Sequence, residues 1–215
     1  MTTVFYKPFL EKYLSKTRKY HYNGLNLVIP PEVFHPGFFF STKIFIRYIK
    51  KLDIAGKQFL ELGAGSGLIS LVAAKEHAIV TAIDINPIAI EYLKANSAAN
   101  NVVLNIIESD MFSNVPQQVF EKIIITPPYY KRDPKSYKDF AWYCGENGEY
   151  FQKLFSSLGN YINKDSDVLM ILSEDCDIEM IRNFSKENNF RMNCVYRHKN
   201  FMEENFIYKI ERPVN

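Results

Sequence analysis

The chain has 215 residues, of which 47% are hydrophobic and 23% charged, and a net charge of +2, as expected of one globular domain with a substantial core. No apolar run reaches membrane-spanning length, and the N-terminus Met1-Thr2-Thr3-Val4-Phe5-Tyr6-Lys7 lacks a signal-peptide pattern. Three scattered cysteines (Cys144, Cys176, Cys194) and four histidines without HxxxH spacing suit neither a disulfide framework nor a metal site, so a cytoplasmic protein without a metal is expected.

The charge is uneven: residues 1–57 carry +7 and the remainder −5. A basic N-terminal part of this kind either meets nucleic acid or an acidic protein surface, or is a solvated helix face. Apolar residues Phe5, Phe9, Leu10, Tyr13 and Leu14 recur at helical spacing and predict a helix over Phe5–Thr17. Lys19 to Ile29 reads as a hairpin turning at Asn23-Gly24, followed by a connector broken by Pro30, Pro31, Pro36 and Gly37. A helix is expected from Ser41 to about Leu52. Strands are then predicted near 58–62, 79–83, 103–107, 122–126 and 167–172, alternating with helices near 67–76, 87–99, 149–161 and 177–188. Such alternation implies right-handed crossovers and a parallel sheet with helices on both faces. Phe190–Tyr196 and Phe206–Ile210 read as two further strands, a closing antiparallel hairpin at the sheet edge. The expected architecture is therefore α/β, doubly wound: an extension over residues 1–40 (helix plus hairpin) and a domain over 41–215 with a mostly parallel, seven-stranded Rossmann-like sheet.

The first strand–helix unit carries the first motif. Gln58-Phe59-Leu60-Glu61-Leu62 runs into Gly63-Ala64-Gly65-Ser66-Gly67 and then an apolar helix. Glycines let the backbone turn sharply and approach a ligand closely, and the helix start favours an anionic group. Asp84 ends the second strand, where an acid accepts hydrogen bonds from the two hydroxyls of an adenosine ribose; a turn or cap is the lesser alternative. Asn86 and Pro87 fit the N-cap and first position of the next helix. Asp110, after the third strand, is placed to accept from an adenine amino group, and Met111 either borders that ring or fills core.

The fourth strand, Lys122-Ile123-Ile124-Ile125-Thr126, runs straight into Pro127-Pro128-Tyr129-Tyr130. Two prolines cannot donate to a ladder, so pairing stops at Thr126 and a stiff loop projects from the strand's carboxyl end. That loop offers a hydroxyl, a proline carbonyl and an aromatic face, a set suited to holding a planar NH2 group. Thr126, Pro127, Pro128, Tyr129 and Tyr130 are thus candidates for the substrate side, with Thr126, Pro127 and Tyr129 taking part in the chemistry and Thr126 bordering the cofactor as well. Tyr130, Lys131 and Arg132 extend from the loop either to touch substrate or to cover its rim.

Both a dinucleotide and S-adenosylmethionine bind at such a point. The spacing here departs from G-x-G-x-x-G, and Glu61 would repel a pyrophosphate while attracting an amino group. The chain resembles class I S-adenosylmethionine-dependent methyltransferases, and more narrowly the "methyltransferase small" group that includes HemK-type release-factor glutamine methyltransferases. Several segments carry the resemblance: Tyr22-Asn23-Gly24-Leu25-Asn26-Leu27-Val28 with Val33-Phe34-His35-Pro36, Glu61 to Gly67, Asp84-Ile85-Asn86-Pro87, Ser109-Asp110-Met111-Phe112, Thr126-Pro127-Pro128-Tyr129, and Ala141 to Gly148. It implies S-adenosylmethionine as cofactor, held by Glu61, Gly63, Ala64, Gly65, Ser66, Gly67, Asp84, Ile85, Asp110 and Met111. It further implies methylation of a planar amino nitrogen on a protein glutamine or on an RNA or DNA base. A partner subunit is a further possibility. Thr126 stands where the family has Asn, and the Arg-Pro-Glu-Thr pattern of the preceding loop is absent. A nicotinamide-dependent Rossmann oxidoreductase and a non-catalytic cofactor-binding subunit are the alternative readings.

Overall fold

The computed structural model describes residues 14–38, 40–201 and 203–213. The helix expected over Phe5–Thr17 lies, across residues 5–13, outside them. The described chain begins with a two-stranded antiparallel hairpin, β1 (Arg18–Tyr22) and β2 (Leu25–Ile29), turning at Asn23-Gly24 where both residues have positive φ. Helix α1 (Phe40–Ile49) follows the proline-rich connector.

From there β3 (Gln58–Leu62), α2 (Leu68–Lys75), β4 (Ile79–Asp84), α3 (Pro87–Ala99), β5 (Asn105–Glu108), β6 (Lys122–Ile125), α4 (Glu149–Leu158), β7 (Asp167–Ser173) and α5 (Ile178–Glu187) alternate; two long strands, β8 (Arg191–Lys199) and β9 (Glu204–Glu211), close the chain. The seven-stranded sheet has the order β5-β4-β3-β6-β7-β9-β8. Its first five strands are parallel and β9 runs antiparallel to both its neighbours. The closing hairpin is therefore at the edge as expected, but the last strand slots inside it against β7.

The strands alternate faces. Phe59, Val80, Ala82, Ile124, Leu169 and Ile171 pack beneath α1, α2 and α3, while Leu60, Leu62, Ile123, Ile125, Met170 and Leu172 pack against α4 and α5. Both faces being covered explains the unbroken isoleucines of β6. Leu25, Leu27 and Ile29 of the hairpin join the first of these clusters. Helix ends follow local chemistry. Asn86 caps α3 by accepting from the Ile88 amide, with Pro87 in the first turn, and Asp177 caps α5 by accepting from the Met180 amide. No helix among the described residues is long and apolar enough to cross a membrane.

Candidate active site

Strand register assembles the floor of the site. Leu62 pairs with Ile83 on one side and Ile125 on the other, so Gly63 stands between Asp84 and Thr126. Asp84 in turn pairs with Glu108, which brings Asp110 and Met111 alongside. Ile125 pairs with Met170, and three residues further on β7 ends at Ser173. The carboxyl ends of β5, β4, β3, β6 and β7 thus line one cleft of about 240 Å³, with β3 and β6 at the point where strand order reverses. Every residue predicted for the site lines that cleft except Gly67.

Gly67 has a steric reason instead. Its φ is +83°, and a Cβ there would stand 2.1 Å from Leu93 Cδ1 of α3. Gly63 has φ +74°, and a Cβ there would meet the Thr126 carbonyl at 3.8 Å, so the glycine loop and the proline loop lie side by side. The Gly63 and Ala64 amides donate to the Ile83 carbonyl at 3.0 and 2.9 Å. Asp84 reaches over the same loop: Oδ2 accepts from the Gly65 amide at 2.8 Å and Oδ1 from the Asn86 amide at 2.9 Å. Each oxygen keeps a lone pair for a ligand hydroxyl. Burial raises the Asp84 pKa, opposed by these amide bonds.

Glu61 is 3% exposed and faces α2, on the same side of β3 as Phe59. Among the described residues its hydrogen bonds come to Oε2, from the Ser70 amide at 2.8 Å and from the Ser70 hydroxyl. The carboxyl therefore occupies the start of α2 that an anionic ligand would otherwise use, which disfavours a pyrophosphate and the nicotinamide reading. Burial pushes its pKa up to about 8, against the pull of the two Ser70 bonds.

At the β5 end, Asp110 is exposed, pairs with Lys153 of α4 and borders the cleft. Met111 is buried at φ +54°, held by the Ser109 hydroxyl donating to its carbonyl at 2.7 Å; it both joins core and lines the cleft. Tyr150, which sequence reasoning missed, enters the cleft on this side, and burial followed by the charges of Asp84 and Asp110 raises its pKa. Only the docking of α4 brings it there, so no spacing in the sequence signals it.

At the β6 end the Thr126 hydroxyl is buried with no hydrogen-bond partner among the described residues, and the Tyr129 hydroxyl is buried beside Ser41, burial raising its pKa. A buried hydroxyl without a partner is costly unless something in the cleft engages it. Tyr130 projects toward β7, its hydroxyl donating to Asp175 Oδ2 at 3.4 Å. Asp175 and Glu203 also line this end, whereas Phe34, Tyr137, Phe140 and Trp142 form an aromatic rim. Lys131, beyond the loop, pairs with Asp177 at 3.0 Å, and Arg132 lies over the Tyr143 ring.

The cleft fits S-adenosylmethionine: a buried acid for an ammonium, a carboxylate with free lone pairs for vicinal hydroxyls, and an apolar-walled end at Met111. The fold and this cleft define an S-adenosylmethionine-dependent methyltransferase. The sequence profile described as "Methyltransferase small domain" matches residues 25–143. A Methanocaldococcus jannaschii protein, whose name proposes protein N5-glutamine methylation, is 37% identical over 157 residues, 70% of this chain and 77% of that protein. The tRNA1(Val) (adenine(37)-N6)-methyltransferase of Shewanella amazonensis is 39% identical over 84 residues, 37% of this chain and 36% of its own length. In fold, a methyltransferase from Pyrococcus furiosus superposes with a TM-score of 0.65 at 20% identity, covering 99% of this chain and 100% of its own. The chain belongs to the methyltransferase small domain family and is an S-adenosylmethionine-dependent N-methyltransferase.

Proposed function

We propose that this enzyme methylates the side-chain amide of a glutamine in a protein, held by the Thr126–Pro127–Pro128–Tyr129 loop. The observation that carries the proposal is the Thr126 hydroxyl, buried in the cleft beside the glycine loop without a partner among the described residues. The Thr126 hydroxyl and Pro127 carbonyl accept the two hydrogens of the target NH2. An amide nitrogen is a poor nucleophile because its lone pair is delocalised, so fixing its direction lowers the barrier chiefly by orientation. The same two oxygens stabilise the positive charge that develops on nitrogen. The Tyr129 ring walls the cleft and keeps water from the reacting face.

S-adenosylmethionine supplies the electrophilic methyl group. Glu61 would hold its ammonium, Asp84 its ribose hydroxyls beside Ile85, the backbone of Gly63, Ala64, Gly65 and Ser66 its middle, and Asp110, Met111 and Tyr150 its adenine.

Two facts favour protein over nucleic acid. An archaeal relative named for glutamine methylation is matched over 70% of this chain. In addition, Asp175 and Glu203 line the substrate end of the cleft, where they would repel a phosphate backbone. The free thiols of Cys144, Cys176 and Cys194 suit the reducing cytoplasm. Incubation with radiolabelled cofactor and cell extract, followed by digestion, tests the substrate class. Label sensitive to protease and resistant to nuclease is expected; the reverse would assign an RNA or DNA base instead.

A further inference from the structure

Strand β2 pairs with β1 on one side only, and its other edge lies against α3. Backbone groups left unpaired beneath a helix are expensive. Two asparagines of α3 and its C-cap satisfy them. The Asn26 amide donates to Asn100 Oδ1 at 2.8 Å, and Asn100 Nδ2 donates back to the Asn26 carbonyl at 2.7 Å. One turn earlier the Val28 amide donates to Asn96 Oδ1 at 2.8 Å, and Asn96 Nδ2 returns to the Val28 carbonyl at 3.1 Å. Four helical residues rise about 6 Å and two strand residues about 6.7 Å, so carboxamides at i and i+4 match alternate residues of a strand. The helix thus offers β2 a substitute neighbour made of side chains.

Asn96 does one thing that Asn100 does not. The second hydrogen of its Nδ2 goes to the Ser66 carbonyl at 3.0 Å, inside the glycine loop. Asn96 is 1% exposed, so this bond is shielded from water. The segment after β2 continues along α3 to the cleft. The Glu32 carbonyl accepts from Asn86 Nδ2 at 3.0 Å, and a Cβ on Gly65 would meet Val33 Cγ1 at 3.7 Å.

We propose that Asn96 is a positioning residue for cofactor binding: it locks the glycine loop to the β1–β2 hairpin, so that the hairpin and its connector act as the outer wall of the cofactor cleft. This rests on the assignment of the cleft to S-adenosylmethionine. Asn96→Ala and Asn100→Ala each remove two bonds to β2, but only the former frees the Ser66 carbonyl. Thermal melting of the free proteins is expected to drop similarly for both. Calorimetric affinity for S-adenosylhomocysteine should fall about five- to tenfold for Asn96→Ala, the equivalent of one shielded hydrogen bond, and less than twofold for Asn100→Ala. The KM for S-adenosylmethionine should rise in step while kcat at saturation is retained. Should Asn96→Ala fail to fold, Asn96→Leu preserves size and places no charge against the Val28 and Ser66 carbonyls while losing both donated bonds, and the same affinity loss is expected. Equal affinity losses in the Asn96 and Asn100 variants, or unchanged affinity in the Asn96 variants, would overturn the inference. Failure of the wild-type protein to bind S-adenosylhomocysteine would overturn the cleft assignment and this inference with it.

Discussion

Replacing Thr126 by Val changes one atom that matters, because the two side chains share a shape and differ only in the hydroxyl. In the free protein that hydroxyl is buried and unpaired among the described residues. A buried polar group without a partner costs about 1–3 kcal/mol, so its removal is expected to stabilise the fold by about 1 kcal/mol. For a chain of this size that is a rise in Tm of about 2–4 °C. In the proposed reaction the same hydroxyl would accept from a nitrogen gaining positive charge, a bond of the charge-assisted kind worth about 1.5–3 kcal/mol. Its loss should lower kcat by about 10- to 100-fold, with affinity for S-adenosylhomocysteine changed much less. Differential scanning calorimetry and a radiolabel transfer assay on one preparation read both quantities. A variant that melts lower than wild type, or one that melts higher and turns over normally, would refute the reasoning: the first outcome makes Thr126 a structural residue, the second a spectator.

Four further outcomes follow from the same geometry. Gly67→Ala sets a Cβ 2.1 Å from Leu93 Cδ1 at φ +83°, so urea denaturation should show a loss of about 2 kcal/mol or more. Glu61, held at about 8 by burial, keeps its proton at neutral pH in the free protein. An ammonium group placed against it favours the ionised form, so cofactor binding releases a proton and affinity rises with pH until about 8. Calorimetry in buffers of different protonation enthalpy detects that proton, and Glu61→Gln should abolish it. The folded state also binds this proton more tightly than the unfolded chain. Stability of the cofactor-free protein should therefore fall as pH rises from the ordinary carboxylate range toward 8, a slope that Glu61→Gln removes in thermal melts. Finally, Asp84→Asn leaves only one acceptor oxygen for the Gly65 and Asn86 amides. Cofactor affinity should drop by about tenfold or more, as measured by titration with S-adenosylhomocysteine.

Much of this molecule was legible in one dimension because its signals are local. Periodicity located each strand and helix of the alternation to within a few residues, since side-chain burial repeats at 2 along a strand and 3.6 along a helix. Ends were less sharp. The helix expected to reach residue 161 stops at Leu158, and the one expected from 67 starts at Leu68, because Gly67 takes a left-handed conformation outside it. The glycine loop, Asp84 and the Thr-Pro-Pro-Tyr loop were visible because each is a strand end marked by residues of unusual backbone chemistry, and parallel strands of matched register must bring such ends together. Glu61 was visible as an acid in an apolar strand. That Ser70 takes one of its oxygens was not, since this depends on how α2 folds back over β3.

What the sequence could not contain in any local window were the contacts made across it. Tyr150 reaches the cleft because α4 packs on the far face of the sheet, about sixty-five residues beyond Asp84. Asn96 and Asn100 look like ordinary polar residues near a helix end; only the docking of a hairpin some seventy residues earlier turns their amides into a substitute strand. The partnerless state of the Thr126 hydroxyl is likewise a property of the packed loop. The sequence by itself determined the strand–helix alternation, the cofactor loop and the identity of the residues at the strand ends. The tertiary structure alone decided which of their polar atoms are already spent on the protein and which are left for ligands, because hydrogen-bond saturation is settled by neighbours in space and not by neighbours in the chain.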